Sequence, residues 1–263
     1  MRGLMKIRLL SISLFTLFLP ALASAAPLKL LFLYPGGQGS SEAAQPLLDS
    51  FTEALKKSGG PEMKATYLSD KTAGLTFIQQ EKPAAALLSA DLFEEQAKAW
   101  SSTPVARSLQ LPSADGTETF YLVGKKGSAL PTSGKITVLS PRPFSPDYLA
   151  KRLFPTMTGL SFEVQPTRNV LGDLRKIASG EKTGFILLDP YEHRAMNLKA
   201  AWVAELADLA TSAKVPSAPV VVFAGAMSPE QQAAFQKALL QVGKDSAAQA
   251  TLQELRLKGF VAP

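Results

Sequence analysis

Short apolar runs alternate with amphipathic stretches along this chain, and this alternation constrains its fold more than any other feature. Leu28–Tyr34 is an apolar run with one lysine, which is typical of a strand covered on both faces. A Pro-Gly-Gly turn separates it from a helical pattern over Glu42–Lys57. The pattern continues with strands at Met63–Leu68 and Ala84–Leu88 and helices at Lys71–Gln80 and Asp91–Trp100. This order predicts a parallel sheet with helices on its faces.

The middle of the chain repeats the same order. The strands are expected at Ile136–Leu139, Ser161–Gln165 and Phe185–Leu188, and the helices begin after Ser145 and span Val170–Ser179. Residues 81–91 align without gaps on residues 181–191 with four identities, and each copy places an apolar strand before a polar residue. This similarity favours an α/β fold with two similar lobes, each a parallel-rich sheet flanked by helices.

Two extended stretches, Glu118–Val123 and Ala218–Phe223, connect the halves of the chain, and Pro229–Val242 and Ser246–Lys258 are predicted as C-terminal helices. We expect one lobe from residues 26–117 and 219–263, a second from 124–214, and a two-strand hinge at 118–123 and 215–223. In open parallel sheets, ligands bind outside the carboxyl ends of the strands. Two such edges facing each other predict a cleft between the lobes.

The N-terminus has the three-part pattern of a secretory signal peptide. Arg2, Lys6 and Arg8 precede an apolar run over Leu9–Leu19, and Ala23–Ala25 provides small residues for cleavage before Ala26. The run is too short to span a bilayer, and no later segment is long and apolar enough to do so. No cysteine stands at the cleavage point, so a lipid anchor on cysteine is excluded. We predict a periplasmic protein that is not a lipoprotein, with residues 1–25 as its signal peptide.

Composition excludes most catalytic and cofactor chemistry. The 263 residues contain no cysteine and a single histidine, His193, which excludes thiol nucleophiles and cysteine-ligated metals and argues against multi-histidine sites. Without its first 25 residues the chain has 25 Lys and Arg against 22 Asp and Glu, so its charge falls from +6 to +3. This balance suits a small anionic ligand but not nucleic acid. We therefore expect no enzyme, no metal and no cofactor.

Three segments in order resemble the periplasmic solute-binding proteins of ABC importers, in particular the phosphate, phosphite and phosphonate-binding group. Leu30–Pro35 resembles the family's opening strand and loop, and Gly180–Tyr191 its second-lobe strand with an acidic tip. The ending over Pro216–Phe223, Met227–Glu230 and Leu255–Val261 resembles its return strand, capped helix and terminal Gly-Phe. The resemblance implies the type 2 periplasmic-binding-protein fold, a phosphate- or phosphonate-like ligand, a membrane permease as partner and a monomeric chain.

Two departures from the family concern its phosphoryl site. Where the family has a hydroxyl-rich Ser-Thr-Ser-Gly turn, this chain has Ser140–Asp147, in which Pro143 and Pro146 supply no backbone N–H. Where the family has a histidine, this chain has Thr167-Arg168-Asn169. The departures leave two other interpretations open: a sensor-associated or other non-transport binding protein with an altered pocket, and an exported enzyme on the same scaffold.

Polar residues at predicted strand ends and helix starts are the candidate ligand contacts. They are Tyr34, Ser40, Ser41, Ser89, Ser145, Asp189 and Tyr191, with Arg142, Thr167 and Asn169 as less certain additions. Most have a structural alternative: one of Ser40 and Ser41 could cap a helix, as could Ser145 and Asp189, the tyrosines could pack in a core, and Arg142 could be exposed to solvent. Ser89 and Asp189 are the preferred pair, because they end the two similar strands.

Overall fold

A computed structural model of the chain describes residues 26–37, 39–196 and 200–263. The predicted signal peptide, residues 1–25, lies outside the described residues. The strands are β1 (Leu28–Leu33), β2 (Met63–Leu68), β3 (Ala85–Leu88), β4 (Ser102–Gln110), β5 (Thr117–Glu118), β6 (Tyr121–Lys125), β7 (Gly134–Ser140), β8 (Leu160–Pro166), β9 (Phe185–Leu188), β10 (Leu206–Thr211), β11 (Val215–Pro216), β12 (Pro219–Phe223) and β13 (Leu257–Val261). The helices are α1 (Ser41–Lys57), α2 (Lys71–Glu81), α3 (Ala90–Trp100), α4 (Pro146–Tyr148), α5 (Val170–Ser179), α6 (Pro190–Met196), α7 (Pro229–Val242) and α8 (Gln249–Glu254).

Eleven of these strands form two mixed sheets that have the same arrangement of parallel and antiparallel strands. The first has the order β13-β4-β12-β3-β1-β2 and the second the order β10-β6-β9-β7-β8. In each, three neighbouring strands are parallel, namely β3-β1-β2 and β9-β7-β8, and the others join antiparallel. The predicted α/β class with two similar units is confirmed, and β3 and β9, the similar segments, occupy equivalent positions.

A third, two-stranded sheet joins the first two along the chain. In it β5 pairs antiparallel with β11, with Val215 opposite Glu118. The chain passes from the first sheet to the second through β5 and returns through β11. The predicted lobe boundaries stay a prediction, and the strands of each sheet fall within the ranges expected for one lobe or for its adjoining crossing.

Helix α1 shows how the sequence fixes the packing of the first unit. Leu48, Phe51 and Leu55 recur at helical spacing, and all three are buried against β1 and β2. Burying each such side chain contributes about 1.5–3 kcal/mol, so this face holds α1 on the sheet. The Ser40 side chain accepts a hydrogen bond from the Ala43 N–H at the helix start. The N-terminus of α1 is therefore fixed beside the end of β1.

One expected element is wrong, and two strands were not expected. The interpretation of Ser246–Lys258 as one helix fails, because α8 ends at Glu254 and Arg256 adopts a left-handed backbone with φ 58°. The chain then continues as β13, which pairs with β4. The sequence analysis also missed β4 and β10, which lack a continuous apolar run and take their backbone partners from strands distant in sequence.

A membrane crossing finds no support in the described part of the chain, where no helix combines the necessary length and hydrophobicity.

Candidate ligand-binding cleft

The carboxyl ends of β1, β7 and β9 meet around a cavity of about 310 Å³. The loop after β1 and the segment from α8 to β13 form one wall, and the ends of β7 and β9 form the other. The lining residues are Phe32, Tyr34, Gly36, Gly37, Ala44, Leu47, Leu48, Tyr67, Leu87, Gln110, Leu111, Pro141, Arg142, Asp189, Pro190, Tyr191, Glu192, Glu254, Leu255, Arg256 and Leu257. A cleft between the two sheets is what the strand order predicts.

Arg142, in the loop after β7, is the central charge of the cleft. Its Nη2 lies 2.9 Å from Asp189 Oδ2, and its Nη1 lies 3.7 Å from Glu118 Oε2. Its Cζ lies 5.0 Å from the centroid of the Tyr34 ring and 5.5 Å from that of Phe120. Only 13% of its side chain is exposed. Two carboxylates and two aromatic faces therefore compensate the guanidinium charge.

Burial controls the ionisation of this cluster. Desolvation raises the pKa of Glu118 to about 7, because the attraction of Arg142 only partly offsets it and Asp189 repels the charged form. Burial also raises the pKa of Glu192 to about 7, with Asp189 acting in the same direction. Burial by itself lowers the pKa of Arg142, but the charges of Tyr34, Glu118 and Asp189 raise it by a larger amount. The pKa of Arg142 is therefore above its usual value, and the guanidinium stays charged. The cluster can take up protons near neutral pH.

Asp189 serves two structural purposes at once. Its Oδ1 accepts a hydrogen bond of 2.7 Å from the Glu192 N–H, and Glu192 Oε2 accepts one of 3.1 Å from the Asp189 N–H. This reciprocal pair has the pattern of a capping box at the start of α6. The other carboxylate oxygen binds Arg142. Asp189 lines the cavity, but both of its carboxylate oxygens already accept hydrogen bonds from groups of the protein.

The predicted hydroxyl and amide contacts are also engaged within the protein. Ser40, Ser145 and Asn169 cap α1, α4 and α5 by accepting backbone N–H groups. Ser41 donates to the Tyr67 carbonyl at 2.6 Å, and Thr167 donates to Asp173 Oδ2 at 2.6 Å. None of these five residues lines the cavity. Their role in ligand binding stays a prediction, and Ser40, Ser145 and Asn169 act here as helix caps.

Ser89 and Asp189 end equivalent strands but meet different surroundings. Ser89 is 2% exposed, precedes α3, and does not line the cavity. Its hydroxyl lies close enough to Asp91 to lower that carboxyl's pKa, against the larger effect of burial, which raises it. The Ser89 Oγ nevertheless has no hydrogen bond of ordinary geometry within the described chain. Of the preferred pair, only Asp189 faces the cavity.

The two predicted tyrosines both line the cavity. The Tyr34 hydroxyl accepts a hydrogen bond from Gln110 Nε2, and burial and the nearby Glu118 raise its pKa above the usual value. Tyr191 is 42% exposed, and the Arg256 Cζ lies 4.1 Å from its ring centroid. Tyr191 follows β9 and Arg256 precedes β13, so this contact connects the two walls of the cleft.

The expectation that Arg142 is exposed to solvent is wrong, because its partners draw it into the cleft. The sequence analysis also missed Glu118, Gln110 and Arg256. Glu118 and Gln110 reach the site only through the pairings of β5 with β11 and of β4 with β12 and β13, which are distant in sequence. Arg256 was assigned to a helix, although the alternation of apolar and polar residues over Leu255–Lys258 is a strand signal that could have placed it at the cleft.

Metal binding has no support in the part of the chain that the structure describes: nowhere there do three His, Asp or Glu side chains form a group that could hold an ion. His193, the sole histidine, stacks on Tyr121 with ring centroids 3.7 Å apart, and its Nε2 lies 2.9 Å from Asp208 Oδ1. It does not line the cleft.

The sequence of residues 147–263 matches the family described as "ABC transporter, phosphonate, periplasmic substrate-binding protein". This match confirms the resemblance expected from the sequence and relates the chain to the solute-binding proteins of ABC transporters. No protein among the curated sequences matches significantly.

Solved structures with this fold cover nearly the whole chain. A binding-protein component of an ABC phosphonate transporter from Pseudomonas aeruginosa has a TM-score of 0.64 at 13% identity, over 90% of this chain and 82% of its own. PhnD1 from Prochlorococcus marinus, in complex with methylphosphonate, has 0.64 at 13%, over 90% and 93%. A Xanthomonas citri protein bound to ATP has 0.65 at 14%, over 89% and 90%. The predicted fold class is confirmed.

Proposed function

We propose that this relative of the phosphonate-transporter binding proteins is an exported solute-binding protein, which captures a small anionic ligand between its lobes and delivers it to an ABC importer. The observation that supports it most is the cavity at the carboxyl ends of β1, β7 and β9, between two sheets joined by the β5-β11 pair. A ligand that contacts both walls would stabilise their approach, because those contacts exist only when the lobes are together.

Similarity in fold does not identify the ligand. The Prochlorococcus protein was solved with methylphosphonate and the Xanthomonas protein with ATP, so neighbours of similar TM-score hold ligands of very different size. The ligand must be inferred from the residues of this cleft.

We propose no catalytic role for the cleft. The pKa of Tyr34 is raised by burial, which keeps its hydroxyl protonated and a poor nucleophile. Ser89 does not line the cavity, and Asp189 is paired with Arg142. No described lysine or histidine lines the cavity to serve as a base.

Binding and closure test the proposal together. The mature chain would be titrated with phosphate, methylphosphonate, benzylphosphonate and phenylbutanoate by calorimetry, and X-ray scattering would follow the radius of gyration. We expect one-to-one binding of at least one anion and a smaller radius of gyration at saturation, and an unchanged radius would count against closure. Failure of every anion to bind would overturn the proposed function.

Mass spectrometry of the periplasmic fraction should find an N-terminus at Ala26 if export and cleavage occur as predicted.

One observation supports a second candidate, a sensor-associated or other non-transport binding protein. The Arg142 guanidinium is already matched by Asp189 and Glu118, so the most buried cation of the cleft is not available to a ligand. Binding to the exported domain of a membrane sensor, in the absence of binding to any anion in the set, would favour this candidate.

A further inference from the structure

The cavity is large for a simple oxyanion. Its volume of about 310 Å³ falls at the lower end of the range of roughly 300–1,000 Å³ that sites for organic ligands span. A phosphate or methylphosphonate ion fills only a small part of that space and would leave the remainder to water.

The interior of the cavity is mostly apolar. Phe32, Leu48, Leu87 and Leu257 are all buried members of one core cluster, and their side chains reach the cavity from β1, α1, β3 and β13. Partly buried apolar residues continue this surface, namely Ala44 and Leu255. Such a lining gains free energy when it covers apolar ligand surface, and it offers no hydrogen bond to a phosphoryl group.

The charged groups of the cavity differ in what they can still bind. Arg142 is compensated by Asp189 and Glu118, whereas Arg256 forms no ion pair within 4 Å and no side-chain hydrogen bond within the described residues, and its charge acts on the neighbouring Glu192 only at longer range. The Arg256 side chain lies over the Tyr191 ring at the exposed rim of the cavity. A guanidinium over a ring face keeps its N–H donors in its own plane, where they can bind an oxyanion in bidentate fashion.

We propose that the cleft takes an organic anion with an apolar body, of the aryl- or alkyl-carboxylate or phosphonate class, whose oxyanion binds Arg256 at the rim and whose body lies on the apolar lining. The inference rests on the proposed function, in that it takes this cleft as the solute site. It assigns Arg256 as the residue that selects a negative head group and the lining from β1, α1, β3 and β13 as the surface that selects the body.

Matched pairs of ligands measure the contributions of the apolar body and of the charged head group to affinity separately. Calorimetry of the mature chain would compare benzylphosphonate with methylphosphonate, and phenylbutanoate with its neutral isostere phenylbutanamide. We expect benzylphosphonate to bind about 10- to 100-fold more tightly than methylphosphonate, because the ring is buried. We expect phenylbutanoate to bind about 3- to 30-fold more tightly than the amide. The better of the two anions identifies whether the head group is a carboxylate or a phosphonate.

Substitution of Arg256 is the second part of the experiment. Arg256→Gln should weaken both aromatic anions about 3- to 30-fold and leave phenylbutanamide within about twofold. Lys258→Gln removes a positive charge two residues further along the chain, in β13 and outside the cavity, and should leave all ligands within about twofold. Circular dichroism would check that both variants fold, and the wild-type comparisons stand without them.

The outcomes distinguish this inference from the proposed function. Tighter binding of methylphosphonate or phosphate than of the aromatic anions would overturn the inference and leave a solute-binding protein for small oxyanions. Equal loss of affinity in Arg256→Gln and Lys258→Gln would overturn the role of Arg256. Binding of no anion at all would overturn both.

Discussion

Arg142 illustrates at the residue scale how a buried charge is kept in this protein. Its side chain is 13% exposed, and its partners Glu118 and Asp189 are 3% and 10% exposed. Removing such charges from water is costly, and the mutual attraction of the three groups compensates only while all remain in place. The Tyr34 and Phe120 rings add a further favourable contact on the faces of the guanidinium.

Arg142→Met should therefore destabilise the protein by about 3–5 kcal/mol, because it leaves two buried carboxylates without a cation. Urea unfolding at pH 8, above the pKa of about 7 of Glu118, would measure the loss. The matched control is Arg152→Met, which breaks an exposed pair with Glu94 and should cost less than about 1 kcal/mol. Equal losses in the two variants would contradict the compensation described for Arg142.

Glu118 predicts a pH dependence of stability that can be isolated. Its pKa is raised from the model-compound value of 4.5 to about 7, so the folded state holds its proton more tightly than the unfolded state. The stability that Glu118 contributes is thus fully present below about pH 4.5 and is lost as the pH rises to 7. The unfolding free energy of the wild type relative to Glu118→Gln should fall over this interval and stay constant above pH 8. The exposed control Glu53→Gln should show no such fall, and a rise with pH in the Glu118 comparison would contradict the assignment.

At the scale of elements, side-chain caps fix the N-termini of several helices. Ser40, Ser145 and Asn169 each satisfy a backbone N–H at a helix start, which fixes α1, α4 and α5 relative to the preceding strands. Helix α7 has the fullest cap, in which Ser228 and Gln231 exchange hydrogen bonds and Pro229 occupies the first position. This helix packs against α1 and β13, and so supports the wall of the cleft that carries Arg256.

Ser228→Ala should lower the unfolding free energy by about 1 kcal/mol, since it removes the acceptor for the Gln231 N–H. Thermal or urea unfolding measures the change. Ser246→Ala is a suitable control, because Ser246 is exposed and its hydroxyl makes no hydrogen bond within the described chain. A loss no larger than that of the control would show that the cap adds nothing to α7.

At the scale of the whole molecule, two loops determine how closely the walls approach. Gly36, after β1, has φ +77°, and a Cβ added there would overlap the carbonyl oxygen of Pro141 after β7. Glycine is thus required twice at this point, for the backbone conformation and for the close approach. The contacts of Arg142 with Tyr34 and of Arg256 with Tyr191 also connect the two walls. The ion pair between Arg152 and Glu94, at 2.8 Å, connects the two halves of the molecule outside the cavity.

Gly36→Ala should hold the walls apart, whereas Gly39→Ala should not. Gly39 has a similar φ of +90°, but nothing lies within 4 Å of its added Cβ, so it controls for backbone strain alone. The chain has no cysteine, so spin labels at Lys98→Cys and Lys151→Cys can report the distance between α3 and the helical segment Leu149–Leu153 that follows α4. We expect a longer label distance in Gly36→Ala than in Gly39→Ala. Identical distances would show that this approach does not limit closure.

The amino-acid sequence by itself determined the alternation of elements and most of their ends. Met63–Leu68, Val170–Ser179, Phe185–Leu188 and Pro229–Val242 begin and end where the local pattern predicts, because hydrophobic period, caps and glycine stops are short-range signals. The similarity of residues 81–91 and 181–191 correctly indicated two equivalent strands.

Only the tertiary structure decided which polar groups face the cleft. Ser89 and Asp189 stand at equivalent strand ends, yet only Asp189 lines the cavity, and Arg142 is buried because Glu118 and Asp189 surround it. Arg256 reaches the rim because β13 pairs with β4, more than a hundred residues earlier in the chain. Caps and periods act over a few residues, whereas the compensation of a buried charge depends on partners that chain folding brings together from distant segments.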